Sequence, residues 1–500
     1  MNWNRETRVC IVGTSRITWR TEADAAPEPL DMWETAARRA IDDAAIRANV
    51  TDELDHLAVV HTQSWDYDHP VARLGERLGR SDIDGTYSLI AGTSPQRLVD
   101  QAAGAMMRGE MSVALVVGAE AQATLRRLAA AGESPRWSFP ETNAVGIESM
   151  LSEWYLPTEI RHGILPAWLT FALLAQARWA ARGGTADDRR SMFDQLSNLS
   201  VIASSNPYAW LPIAHSSERL AKADVSNRPI ATPFTKLTTA FPFVDMAAAN
   251  LLVTDEVADR WGVPDDRRIY LQGWGFARDA SHVAARESLS SSPAMCTATS
   301  DALAMAGLES DQIDVFDLYS CFGSAIQFAR DALGLRDDDP RPISLTGGLP
   351  YHGGPGSNYM NHSISTLVGH LRSSNDTTGM VTGIGMHMTK HVAGIWSSER
   401  PKHPLPPIDQ PQQAVLEDAE NARPVVESMD GQVTIAAASV IHGPDGAPQG
   451  VIAIGESTDG SRCYARSIDT DLIELVLADQ WVGVDGTVTP MPDGTNRLGL

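Results

Sequence analysis

Apolar positions along this chain gather into short, nearly continuous runs, and between them lie stretches with helical spacing. Residues 8–14 (R-V-C-I-V-G-T) form a compact apolar run closed by glycine, which predicts a strand. Residues 31–48 place Met32, Ala36, Ala40 and Ala44 roughly on one side and predict a helix, with Asp31 as its N-cap. A strand is predicted at 57–61, a short helix at 71–78, and a helix at 95–108 with Pro95 in its first turn. Residues 113–117 read as a strand buried on both faces. Strands alternating with helices predict a parallel or mixed α/β sheet covered on both sides. That rhythm breaks from 121 to 230, where Trp137, Trp154, Trp168, Trp179 and Trp210 and a helix near 165–182 read as an excursion over the first half. The plan then repeats. Strands are predicted at 268–275, 313–318, 379–385 and 392–396, with helices at 291–307, 322–334 and 360–372.

Residues 401–425 are rich in Pro, Gln and Glu and have linker composition. Beyond them the pattern is strand and turn, at 433–441, 450–455 and 462–468. A short helix at 471–477 and a last strand at 481–488 follow. The expected division is 1–265, 266–400, a linker at 401–425, and a small β-domain at 426–500, read as an OB-like barrel.

The densest chemistry lies between 314 and 362. A buried-type strand at 315–318 delivers Tyr319, Ser320, Cys321 and Phe322 at its end. After the next helix comes L-T-G-G-L-P-Y-H-G-G-P-G-S-N-Y-M-N-H, with glycines at 347, 348, 353, 354 and 356. That much glycine lets a backbone come close to something. Taken alone, an ordinary strand-helix-loop unit fits these residues as well.

The strand end resembles the H-D-C-F or N-E-A-F segment of the thiolase superfamily, and the loop resembles that family's G-G-x-x-x-x-G-H-P-x-G-x-S-G. The residues Asp245 to Ala249 (D-M-A-A-A) are similar to its S-D-G-A-A-A, where a helix start and a strand sit. Within the superfamily, Y-S-C-F, the glycine loop and T-G-I-G-M-H-M-T-K-H look like the thiolase-like proteins of type 1. These are relatives of sterol-carrier-protein-type thiolases, and members are commonly named acetyl-CoA acetyltransferases. The resemblance covers nearly the whole chain. It implies a duplicated five-layer αβαβα thiolase fold with a small C-terminal OB-like β-domain. It also implies a transferase-like protein of lipid metabolism with an acyl-CoA ligand.

Departures from the family pattern fall on its reactive groups. Gly92, in Gly92-Thr93-Ser94-Pro95, stands at the position of the nucleophilic cysteine, and no cysteine occurs between 11 and 295. Val381 or Thr382 falls where the second cysteine would be. Gly354 replaces the loop histidine, and Tyr319 stands where the family has His or Asn. The resemblance therefore implies a protein that acts on or binds a CoA thioester of lipid or sterol metabolism without Claisen thiolase chemistry. Whether it is an enzyme stays open. One alternative is a retro-aldol lyase on a 3-hydroxyacyl-CoA, using Tyr319 and Tyr351; another is a non-catalytic acyl-CoA binding protein. The thioester is expected between the helix that follows Gly92 and the Tyr319 and glycine loops, its oxyanion held by backbone amides.

Each candidate side chain has two readings. Ser94 is an alcohol nucleophile without an evident base, or a helix cap. Tyr319 is an acid/base or a donor to a thioester carbonyl, or a buried phenol satisfied by backbone. His352 partly replaces the missing histidine, or packs. His362 shares a helix face with Asn358, or serves the core. Cys321 reads as a small buried hydrophobe. Gly92, Gly353, Gly354, Gly383 and Gly385 are the expected substrate-binding backbone. His387 and His391, spaced i and i+4 in a predicted strand, do not suggest a metal site; no metal and no cofactor beyond the CoA thioester are expected.

Composition narrows the partners. The chain has 500 residues, with 43% hydrophobic and 21% charged, which are globular values. A formal net charge of −23 argues against nucleic acid and against an anionic membrane surface. The apolar runs end well before the length of a membrane span. Residues 1–8 are polar and charged, so no secretory signal is expected. The cysteines at 10, 296, 321 and 463 form no CxxC, which fits a reducing cytoplasm. A monomer or homodimer is expected.

Overall fold

The computed structural model describes residues 7–20, 27–46, 48–142, 151, 154–402, 405–406 and 422–500. Its first half supplies β1 (Val9–Thr18), β2 (His56–Val59), β3 (Asp84–Tyr87) and β4 (Val113–Ala121). Two short strands follow, β5 (Pro229–Ala231) and β6 (Phe234–Thr235), and then β7 (Asp245–Thr254). The second half supplies β8 (Ile269–Arg278), β9 (Val315–Asp317), β10 (Thr378–Gly385) and β11 (Lys390–Ser397). These strands pair in the order β3-β2-β4-β7-β1-β8-β11-β10-β9. Within the sheet the two halves are joined by the short pairing of Cys10 and Ile11 with Tyr270 and Ile269.

Each half repeats the other. Parallel strands lie at the outer end (β3, β2 and β4; β9 and β10), and an antiparallel pair lies inward. Helix Pro29–Asp43 covers β1, β4 and β7, while helix Pro293–Ala306 covers β8 and β11. Helices Ser94–Met107 and Tyr359–Leu371 touch each other and strands of both halves, so they form the shared middle layer. The outer helices sit unusually close to their strands. A Cβ on Gly13 would be 2.0 Å from the Ala40 carbonyl oxygen, and one on Gly275 would be 2.0 Å from that of Ala298. Only glycine admits such contact.

In the two halves, two predicted elements differ and one helix is added. The helix expected at 31–48 runs Pro29–Asp43, with Pro29 in its first turn and Glu28 at the N-cap; Asp31 lies inside it. It stops early because Ala45 adopts a positive φ of 53°. The helix start expected at Asp245 is strand β7, every residue of which is buried between β4 and β1. Pairing on both edges there overrides the helix preference of alanine. Within the 121–230 excursion a second long helix, Ala186–Ser205, follows Ala167–Ala181.

The C-terminal strands are β12 (Gly431–His442), β13 (Pro448–Glu456), β14 (Arg462–Ser467), β15 (Asp485–Pro490) and β16 (Asn496–Gly499). The strand expected at 481–488 begins later because 482–483 is a turn, and β16 is an added strand. The five strands close on themselves through the pairings β12–β13, β13–β14, β14–β16, β16–β15 and β15–β12. Helix Thr470–Leu477 lies between β14 and β15 in sequence. Strand β5 of the first half extends the ring through Ala231 opposite Ile441. The expected linker at 401–425 falls largely outside the described residues. No helix among the described residues is long and apolar enough to cross a membrane.

Candidate active site

Strand β9 ends directly beneath the glycine loop, and one carboxylate joins them. Asp317 is fully buried and accepts hydrogen bonds from the amides of Leu345 (2.7 Å) and Thr346 (2.8 Å). The hydroxyls of Thr346 (2.9 Å), Ser344 (3.2 Å) and Ser363 (2.6 Å) add to these. The loop is thereby pinned to both β9 and helix Tyr359–Leu371. At its far end Ser357 Oγ accepts from the Ala91 amide at 3.1 Å, which ties the loop to the turn before helix Ser94–Met107. The structure thus brings Gly92, Tyr319, the glycine loop and His352 together.

Gly92 and Tyr319 are in contact. A Cβ on residue 92 would lie 2.4 Å from the Tyr319 hydroxyl and 2.3 Å from the Ile384 carbonyl oxygen of β10. The phenol fills the place a side chain at 92 would take. Gly383 faces the same turn: its Cβ would be 3.2 Å from the Gly92 carbonyl oxygen and 2.1 Å from Met360 Sδ. Gly385 packs on Ala91 in the same way. Thr382 Oγ1 accepts from the Tyr319 amide at 2.9 Å. Gly354 donates its amide to the Phe241 carbonyl at 2.9 Å, and a Cβ there would meet only ordinary contacts. Gly353, at φ +106°, lies against Val244, Met246 and Trp210.

An aromatic ladder runs inward from Tyr319. Its ring meets Tyr359 edge-on at 5.4 Å; Tyr359 meets His352 at 6.0 Å, and His352 meets His362 at 5.3 Å. All four are buried. Burial, with Cys321 adding, pushes the Tyr319 phenol up. Burial, then the charge of Arg16, pushes His352 down to about 3, and His362 is likewise driven well down by burial, His352 and Arg16. Both imidazoles are neutral at pH 7, with His352 Nε2 3.5 Å from His362 Nδ1. Asn206 Nδ2 is 3.4 Å from the other nitrogen of His352. Asn358 turns away from His362 and donates to the Gly118 carbonyl at 2.7 Å.

The remaining sequence candidates have structural partners. Ser94 Oγ donates to the Leu89 carbonyl at 2.7 Å and caps no helix amide. Burial raises all four thiols: Cys10 to about 12, Cys463 to about 11, and Cys296 and Cys321 upward too. His387 sits in the β10–β11 turn between the Tyr155 hydroxyl (2.7 Å) and Thr170 (2.8 Å), whereas His391 faces Ser292 and Asp279.

Two groups escaped the sequence reading. Tyr359, whose hydroxyl lies 2.6 Å from Thr346 Oγ1, links the ladder to the Asp317 network. Glu120, at the end of β4, is fully buried against Gly356, whose Cβ would lie 2.4 Å from its Oε1. Burial pushes its carboxyl up to about 7, although the Gln63 amide and the Ser64 and Thr62 hydroxyls pull the other way. A lone carboxylate at the end of an apolar strand carries no sequence signal of this kind.

Beside the packed centre is a cavity of about 330 Å³ at the N-terminus of helix Ser94–Met107. Thr93 and Ser94 line it with Arg97, Arg278 and Lys390. Leu89, 80% exposed, is also in its lining. Burial and the neighbouring Arg278 and Arg97 charges hold the Lys390 ammonium below its ordinary value.

No family model matches the chain. A crystal structure of a monomeric SCP2-thiolase like protein type 1 (STLP1) from Mycobacterium smegmatis superposes with a TM-score of 0.80. The two are 29% identical, and the match covers 99% of each chain. This chain belongs to the thiolase superfamily. An acetyl-CoA acetyltransferase of Methanocaldococcus jannaschii is 26% identical over 304 residues, 58% of this thiolase-superfamily chain and 69% of that protein. Human mitochondrial 3-ketoacyl-CoA thiolase shares the fold at a TM-score of 0.58 and 15% identity, over 78% of this chain and 98% of that one. Its complex with CoA gives 0.56 at 16% identity.

Proposed function

We propose that this chain handles acyl-CoA thioesters of lipid or sterol metabolism, in the cytoplasm and as a monomer, without thiolate chemistry. The observation that carries this reading is the contact of Gly92 with Tyr319. The position that would hold a nucleophile has no room for a side chain, and none of the four thiols has a lowered pKa. A thiolate nucleophile needs the opposite environment, partly exposed and electropositive. The thioester docks instead in the 330 Å³ cavity, its acyl end toward Leu89. Arg97, Arg278 and Lys390 then meet the phosphates of CoA, an arrangement charged donors favour. We read the closed C-terminal strand ring as OB-like, with strand order 1-2-3-5-4.

Calorimetry with acetyl-CoA tests the reading, paired with product analysis of acetoacetyl-CoA and free CoA. The expected result is saturable binding, weakened about tenfold by Lys390→Gln, with no covalent acyl-enzyme. Robust cleavage through an acyl-enzyme, or no binding at all, overturns it. Nothing in the site favours the retro-aldol alternative: burial raises the Tyr319 pKa, so at neutral pH it stays a protonated phenol, able to donate a hydrogen bond but without a phenolate to serve as general base.

A further inference from the structure

A second cavity, of about 420 Å³, opens where the end of β1 meets the C-terminus of helix Tyr359–Leu371. Arg16, Arg39, Arg267 and Arg372 line it, and among the described residues its one carboxylate is Asp43. In a chain of net charge −23 this is a local excess of cations. Elsewhere among the described residues arginines have carboxylates to spare, as Arg73 does with Asp68 and Glu76 and Arg268 with Asp259 and Asp265.

The bonds in place leave donors over. Asp43 accepts from the Thr14 amide (2.9 Å), Arg267 Nη2 (2.9 Å) and Arg372 Nη1 (2.9 Å), which exhausts most of its capacity. Arg372 Nε donates to the Arg267 carbonyl at 3.0 Å. Its side chain is only 8% exposed, yet its Nη2 is buried with no partner among the described residues. Arg267 Nε is in the same condition. Arg16 stacks on Tyr208 at 4.6 Å and donates to Thr366, and burial lowers its pKa. Arg39 stands exposed in the lining. A scaffold role for Arg267 and Arg372 as braces of Asp43 explains their Nη bonds and leaves the rest. Buried guanidinium donors without acceptors are costly, and like charges held together add to that cost. An oxyanion bridging them would supply the missing acceptors.

We propose that this cavity is a binding site for phosphoryl groups, held by the forks of Arg372 and Arg267 and closed over by Arg16 and Arg39. Planar guanidinium groups suit tetrahedral phosphate oxygens, which accept in pairs. The site is separate from the cavity beside Ser94 and does not rest on the acyl-CoA reading. Titration of inorganic pyrophosphate into the full chain in chloride buffer, followed by calorimetry, tests it. One saturable site is expected. Arg372→Lys, which keeps the charge and loses the fork, should weaken it at least about tenfold. Arg39→Gln, an exposed position that leaves folding intact, should weaken it about fivefold. CoA that displaces the bound pyrophosphate names the diphosphate of CoA as the source; binding indifferent to CoA names a free phosphate compound, and either supports the site. No saturation up to about 10 mM, or affinity unchanged in Arg39→Gln, overturns it.

Discussion

The chemistry open to residue 92 is decided by the hydrogen it carries in place of a side chain, because Tyr319 and the Ile384 carbonyl already occupy the space. Position 354 differs: there the surroundings would accept a Cβ, whereas at 92 they leave no room for one. Glu120 gives the residue scale its pH dependence. Its carboxyl is raised in the folded protein to about 7 from 4.5. Such a group contributes stability that is fully present below the unfolded value and lost as pH rises through the folded one. His352 and His362 act with the opposite sign: buried and neutral, they contribute above about 6.5 and lose that contribution as pH falls. Glu120→Gln separates the two. Its stability relative to the wild type should rise from about pH 5 to about pH 8 by up to ~3 kcal/mol in urea unfolding. A difference that stays flat across that range would remove Glu120 from the ionising groups.

Among the elements, the glycine loop depends on Asp317 more than on its own glycines. One carboxylate accepting two amides and three hydroxyls cannot be replaced by an amide without turning two hydrogens toward donors. Asp317→Asn is expected to cost ~2–4 kcal/mol and to speed amide exchange at residues 345 and 346 while exchange in β7 stays slow. Equal exchange in both variants would deny the carboxylate its anchoring part. This anchor also marks the limit of what the sequence carries. The strand at 315–318, the helices at 322–334 and 360–372 and the meeting of Tyr319, Gly92 and the loop were legible, because period and motif sit in adjacent residues. Asp317 looked like one more polar residue in D-V-F-D-L, since its five donors come from as far away as Ser363. At Asp245 to Ala249 the resemblance implied a helix start and a strand, and the two flanking strands make the whole stretch β7.

At the scale of the whole molecule, the C-terminal ring is part of the body. Ala437, Ile452, Ile454 and Tyr464 belong to the same apolar cluster as Phe171, Phe234 and Phe322. Polar contacts follow the same seam. The Tyr464 hydroxyl, fully buried, donates to Glu159 Oε1 at 3.0 Å and accepts from the Ala284 amide at 3.1 Å. His162 Nε2 accepts from the Asn496 amide at 2.8 Å, and Arg189 pairs with Asp479 at 2.8 Å. A domain joined only by its linker would unfold by itself. One that shares a core transmits its loss, since contacts at the seam count toward both parts. Tyr464→Phe removes one hydroxyl and leaves the Ala284 amide and a Glu159 oxygen short of a partner, at a cost of ~1–3 kcal/mol. Because the seam couples the parts, that cost should appear as a lower midpoint of one thermal transition, with both halves moving together. Calorimetry that instead resolves two transitions, with only the smaller one shifted, would show the ring to be an independent module.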